Sequence, residues 1–194
     1  MKNLIEDIYG IIKDYRNDDG IYITKEHIQE WGNQFEDDAE FVLKEFAHIV
    51  KQVYVSKKDG YKYIEAVLDF LQKEYKVANI MFLLRDTQFL LLQPEGKSQH
   101  KLMDMLDEIV LNKTGHYISD YDNYPKRHYI YIDDVLASGR TIGDDLIEWI
   151  EEDDHCDKIK NKQIDLKVIL ICSHSLGLSF QFYRISKHFN IDAK

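Results

Sequence analysis

The 194-residue chain is 44% hydrophobic and 31% charged, with 2 Pro and 9 Gly, which excludes collagen-like and low-complexity sequence and leaves an ordinary globular balance. Its net charge of −10 argues against a duplex nucleic-acid footprint, because such surfaces neutralise many phosphates; a small basic pocket for one phosphorylated ligand stays open. No apolar run approaches the roughly 20 residues needed to cross a bilayer, and the charges of Lys2, Glu6 and Asp7 fall too early for a secretory signal, so a cytoplasmic protein without a membrane partner is expected.

The first 78 residues read as a helical module. Leu4, Ile5, Ile8, Ile11, Ile12 and Tyr15 recur at three and four, which places them on one helical face. The turn cluster Asn17-Asp18-Asp19-Gly20 follows, and Thr24 is an N-cap for a helix carrying Ile28, Trp31 and Phe35. Phe41, Val42, Phe46, Ile49, Val50 and Val53 mark another helix, broken at Ser56. Tyr63, Ile64, Val67, Leu68 and Leu71 mark a further one.

From Asn79 the pattern changes. Residues 80–84 and 89–92 are short continuous apolar runs, which suit buried strands, although the first also fits a helix end. A helix is expected over 99–112, a strand over 129–132 and a helix over 141–154. A strongly apolar strand is expected over 166–172, and an amphipathic helix over 180–189. Cys172 is expected in the core, and neither Cys156 nor Cys172 has metal-ligand or disulfide-framework spacing. Strands alternating with helices imply βαβ units, a parallel sheet of about four strands, and ligand loops at the strands' carboxyl ends. The expected fold is therefore α/β: a helical module over residues 1–78 and a parallel sheet flanked by helices over 79–194.

The most informative segment runs from Tyr129 to Thr141: an apolar strand, two adjacent acids (Asp133 and Asp134), a small-residue loop and a helix start. Gly139 permits backbone angles that let successive N–H groups converge on an anion. Ser138 and Thr141 add hydroxyls, and the helix start adds free amides and a positive dipole end. Ala137, Ser138, Gly139, Arg140 and Thr141 together suit a phosphate monoester. Asp133 and Asp134 would repel that phosphate, but they suit the vicinal hydroxyls of an adjacent sugar, or a hydrated Mg2+.

This segment resembles the phosphoribosyl pyrophosphate (PRPP) motif of type I phosphoribosyltransferases, with Tyr131 as an unusual strand member and Ser138 in place of the more usual Thr. The resemblance implies a phosphoribosyltransferase-like fold, in which residues 137–141 hold the 5′-phosphate and Asp133 and Asp134 hold the ribose hydroxyls. Ala137 resembles the adenine-type enzymes; no purine-base proton acceptor is visible at that position. In the family a second loop binds pyrophosphate, and residues 93–99 match it loosely: Gly96, Lys97, Ser98 and Gln99 are the expected contacts. The implied chemistry is transfer or cleavage at ribose C1 of PRPP or a nucleotide, with Mg2+ as cofactor, reaching Asp133 and Asp134 through water.

Two departures from the family stand out. Residues 113–128 leave little room for the usual long hairpin lid, and little chain follows the 166–172 strand to form a closing strand. The layout, a helical N-terminal part followed by this motif, is similar to divergent phosphoribosyltransferase-like domains of bacterial conflict and defence systems. That similarity implies an alternative: a non-catalytic nucleotide-sensing or effector module with partner proteins in a defence or regulatory assembly, its oligomeric state left open. A third reading keeps the fold as a scaffold that has lost its ligand. A P-loop NTPase is a further alternative, because Gly96-Lys97-Ser98 ends like a P-loop, but the required upstream Gly position holds Leu91. Among single residues, His128, His174, Lys126 and Arg127 are candidates for ligand contact.

Overall fold

The computed structural model describes residues 2–191. Nine α-helices and three strands occur among them: α1 (Lys2–Ile12), α2 (Lys25–Asn33), α3 (Ala39–Val53), α4 (Lys57–Glu74), α5 (Ile80–Asp86), β1 (Thr87–Leu90), α6 (Ser98–Thr114), β2 (His128–Leu136), α7 (Arg140–Glu151), α8 (His155–Lys160), β3 (Asp165–Ser173) and α9 (Ser175–Phe189). The chain divides into two compact units, Met1–Lys62 and Tyr63–Lys194. Among the described residues, no helix is long and apolar enough to cross a membrane.

In the first unit, α1, α2 and α3 bury Ile5, Ile8, Ile28, Leu43 and Ala47 against one another, with Trp31 and Phe46 partly buried beside them. Thr24 caps α2 as expected: its hydroxyl accepts from the His27 amide at 3.2 Å, satisfying one of the orphan donors of the first turn. Gly32 lets α2 approach α3, because a Cβ there would lie 2.9 Å from a Leu43 methyl. The Trp31 ring packs on those of Phe35 and Phe46.

The second unit is built on a parallel sheet in the order β1-β2-β3. The sheet has three strands rather than about four, because residues 80–84 form α5 instead of a strand. Asn79 caps that helix, accepting from the Phe82 amide at 3.1 Å. Met81 and Phe82 face solvent while Leu83 and Leu84 are buried, the spacing of a helix rather than a strand. Tyr131, Leu136, Ile142, Leu146, Trp149, Ile150, Ile185 and Phe189 share one core among β2, α7 and α9. β3 lies at the edge of the sheet, so Cys172 is exposed and not in the core. α9 begins at Ser175, earlier than its apolar pattern suggests.

The amino ends of β2 and β3 are tied by side chains. His128 Nδ1 bonds the Asp165 carboxylate, Tyr75 Oη donates to its other oxygen at 2.8 Å, and the Tyr75 ring stacks on His128 at 3.6 Å between centroids. Burial raises the Asp165 pKa, but the bonds from His128 and Tyr75 outweigh it and hold the carboxyl below its ordinary range. His128 is thus committed at the end of the sheet opposite the ligand loops.

Candidate functional site

Parallel pairing brings the carboxyl ends of β1 and β2 to the same side of the sheet. Leu90 of β1 pairs with Tyr131, so residues 132–136 of β2 run past the end of β1. The loop after β1 folds across this overhang, held by Gln99. The Gln99 side chain is fully buried. Its Nε2 donates to the carbonyls of Leu90 and Ile132, each at 3.2 Å, and its Oε1 accepts from the amides of Leu92 and Gln93 at 2.9 and 3.0 Å. One amide group therefore replaces the ladder bonds that β1 no longer supplies, which a buried backbone requires.

Gln93 is thereby aimed at the paired acids. Its Nε2 lies 2.7 Å from Asp133 Oδ2 and 2.8 Å from Tyr131 Oη, while Tyr131 donates to Asp145 at 3.0 Å. The Ser98 hydroxyl lies 2.9 Å from Asp134 Oδ1 and 3.2 Å from Asp133 Oδ1, a single donor shared between two carboxylates. Asp133 is only 3% exposed and also accepts from the Asp134 amide at 2.9 Å. Burial pushes its carboxyl above the ordinary range, and the adjacent Asp134 charge acts in the same direction. Burial raises Asp145 likewise. Asp134 is less buried and faces the hollow.

Residues 137–139 connect β2 to α7. Gly139 sits at φ 72°, a left-handed conformation that glycine adopts without strain, and it forms the N-cap of α7. Among the described residues, the main-chain amides of Ala137, Ser138, Gly139 and Thr141 find no acceptor within the chain, and that of Arg140 reaches only Ser138 Oγ at 3.4 Å. The loop is positioned from behind by α9. Gln181 Nε2 donates to the Ser138 carbonyl at 3.1 Å, and Gly177 brings the α9 backbone so close that a Cβ there would lie 2.0 Å from the Ala137 carbonyl oxygen.

The two loops enclose one hollow of about 250 Å3. Asp133, Asp134, Ala137, Ser138, Gly139, Arg140 and Thr141 all line it, together with Lys97 and Ser98 from the other loop. Gly96 and Gln99, expected beside them as pyrophosphate contacts, do not line the hollow: Gly96 makes a turn at φ 84°, and Gln99 is spent on main-chain groups beneath the loop. Lys126 is occupied as well, donating to the carbonyls of Leu84 and Tyr121. His174 is exposed at the N-cap of α9. Sequence patterns missed Asp145, Gly177 and Gln181 as supporting residues, and missed the supporting roles of Gln93 and Tyr131. The arrangement offers unpaired amides for an anion and, next to them, carboxylates that accept from hydroxyl groups.

A family model described as PRTase-CE matches residues 28–192. No curated protein matches the chain. No solved structure matches it either.

Proposed function

Because the chain belongs to the PRTase-CE family, and so is a phosphoribosyltransferase-like protein, we propose that its hollow binds PRPP or a nucleotide by the 5′-phosphate. The observation carrying this reading is the row of main-chain amides at Ala137, Ser138, Gly139 and Thr141 without internal acceptors, set beside two carboxylates in one concavity. Amides and the α7 amino end receive the phosphate dianion. Asp134, with Asp133 behind it, accepts from the ribose hydroxyls, leaving C1 to face the Lys97–Ser98 side of the hollow. Binding energy taken up at the remote phosphate then orients the reacting carbon.

The chemistry proposed at C1 is displacement of pyrophosphate by a base, or the reverse cleavage. Among the described residues, no group of three or more His, Cys, Asp or Glu side chains could enclose a metal. Two neighbouring carboxylates do fit Mg2+ held largely through water and the ligand's own phosphates, the usual manner for this ion. When bound it would spread the charge of the departing pyrophosphate.

A second reading, binding without turnover as the sensing module of a defence or regulatory assembly, is favoured by two observations. Asp133 already has both oxygens engaged, and the hollow is smaller than the about 300–1,000 Å3 usual for small-molecule sites. Calorimetry with PRPP and AMP, each with and without Mg2+, tests the site. Chromatography of pyrophosphate after incubating PRPP with a panel of bases tests turnover. Heat with product supports the transferase, heat without product supports the sensor, and absence of heat from every ligand sinks both.

A further inference from the structure

We infer that the ligand continues past its 5′-phosphate, and that this protein takes a dinucleotide: two nucleosides joined 5′ to 5′ through a pyrophosphate, with the second base lying against Phe180. The inference rests on the reading of residues 137–141 as a phosphate cradle. A second hollow, of about 470 Å3, borders that loop. It is lined by Ser138, Arg140, Asp144, Phe180, Gln181 and Arg184, and two of these, Ser138 and Arg140, line the first hollow too. The loop thus borders two concavities that meet at Ser138 and Arg140. A phosphate monoester would use one of them. The first hollow alone falls below the usual size of a ligand site, whereas the second lies within that range.

The chemistry of the second hollow fits a nucleoside and one more phosphate. Phe180 projects from α9 with 59% of its surface exposed, a large flat ring at the rim. Two arginines, Arg140 and Arg184, line the same hollow, and one carboxylate in its lining, Asp144, balances them. Asp144 forms an ion pair with Arg184 at 2.7 Å, which holds that guanidinium. Its contact with Arg140 is looser, at 3.7 Å, and the Arg140 side chain is 86% exposed. The hollow therefore keeps a net positive charge beside the cradle, where the second phosphate of a pyrophosphate would fall. An aromatic face and guanidinium planes are the surfaces on which a base stacks whatever its identity. Gln181, buried in the lining of the second hollow, is bound through Nε2 to the Ser138 carbonyl of the cradle loop.

The test is calorimetry on the whole chain with AMP, ADP and adenosine–guanosine 5′,5′-diphosphate, all with Mg2+. ADP controls for the extra phosphate. The dinucleotide is expected to bind more tightly than ADP by about 5- to 100-fold, the range associated with stacking one base on an aromatic side chain. Phe180→Ala is expected to collapse that ratio towards one; the ring is exposed, so its truncation leaves the fold in place. Saturation-transfer NMR on the unmodified protein provides a second reading, in which base protons of both adenosine and guanosine receive saturation. Equal affinity for ADP and the dinucleotide, an undiminished ratio in Phe180→Ala, or saturation of one base alone overturns the inference and leaves the cradle standing. Failure of AMP, ADP and the dinucleotide alike removes the cradle, and this inference with it.

Discussion

Gly177→Ala should damage the phosphate loop through the backbone behind it. The added Cβ would lie 2.0 Å from the Ala137 carbonyl oxygen, where ordinary contact begins at 3.4 Å, so helix and loop must separate by more than 1 Å. Neither partner is a flexible side-chain end: one is the α9 backbone and the other the main chain between β2 and α7. Overpacking of this kind costs about 2–3 kcal/mol at the upper end of its usual range. The better helix propensity of Ala offsets about 1 kcal/mol. The net loss of about 1–2 kcal/mol corresponds to a fall in Tm of about 2–8 °C for a chain of this size. The displaced Ala137 carries its neighbouring amides with it, and each charge-assisted bond lost to the phosphate is worth about 1.5–3 kcal/mol, or roughly 10- to 100-fold in affinity. Differential scanning calorimetry and AMP titration measure the two effects. Gly10→Ala is the control: it lies in α1 with nothing within 4 Å of a new Cβ, and should be neutral or slightly stabilising. Unchanged stability and unchanged AMP affinity in Gly177→Ala would refute the claim that α9 sets the position of this loop.

Other perturbations separate structural from binding roles. Gln93→Leu removes the donor to Asp133 and Tyr131 in a buried place, so urea unfolding should show a loss of about 1–3 kcal/mol. Asp133→Asn should sharply weaken AMP binding while changing stability in a pH-dependent way. The folded-state pKa of Asp133 is raised by burial, so its stabilising contribution is present below the ordinary carboxylate value and lost as pH rises through the raised one. Urea midpoints should therefore move in favour of Asp133→Asn as pH rises above the ordinary carboxylate value; a flat or opposite trend contradicts the assignment. Asp165 behaves in the opposite sense: its depressed pKa stabilises the fold above the ordinary value, and this is lost on acidification. Asp165→Asn should consequently be most damaging near neutrality, with the deficit shrinking as pH falls.

The strand, paired acids, small-residue loop and helix of residues 129–141 were legible because their information is local: a short apolar run, charge and glycine follow one another along the chain. The same holds for Thr24 as a cap. Residues 80–84 show the opposite case. Five apolar residues in a row carry no period, and only Asn79 before them, a cap in the folded chain, distinguishes helix from strand. Cys172 ends an apolar run that looks interior, but its exposure depends on β3 being an edge, which is a property of the sheet. The roles of Gln93 and Gln181 were not legible, and Gln99 was expected at the ligand rather than beneath the loop, for a similar reason. A glutamine has no pattern of its own, and these three matter only because tertiary structure brings β1 short of β2 and α9 beneath the 137–139 loop. Gly177 likewise has meaning only against Ala137.

The most direct test of the central claim is a crystal structure of the protein with AMP and Mg2+. The account predicts phosphate oxygens within about 2.7–3.2 Å of the amides of Ser138, Gly139 and Thr141, with the ribose hydroxyls on Asp134. A phosphate bound elsewhere, or a ribose turned away from the paired acids, would contradict it.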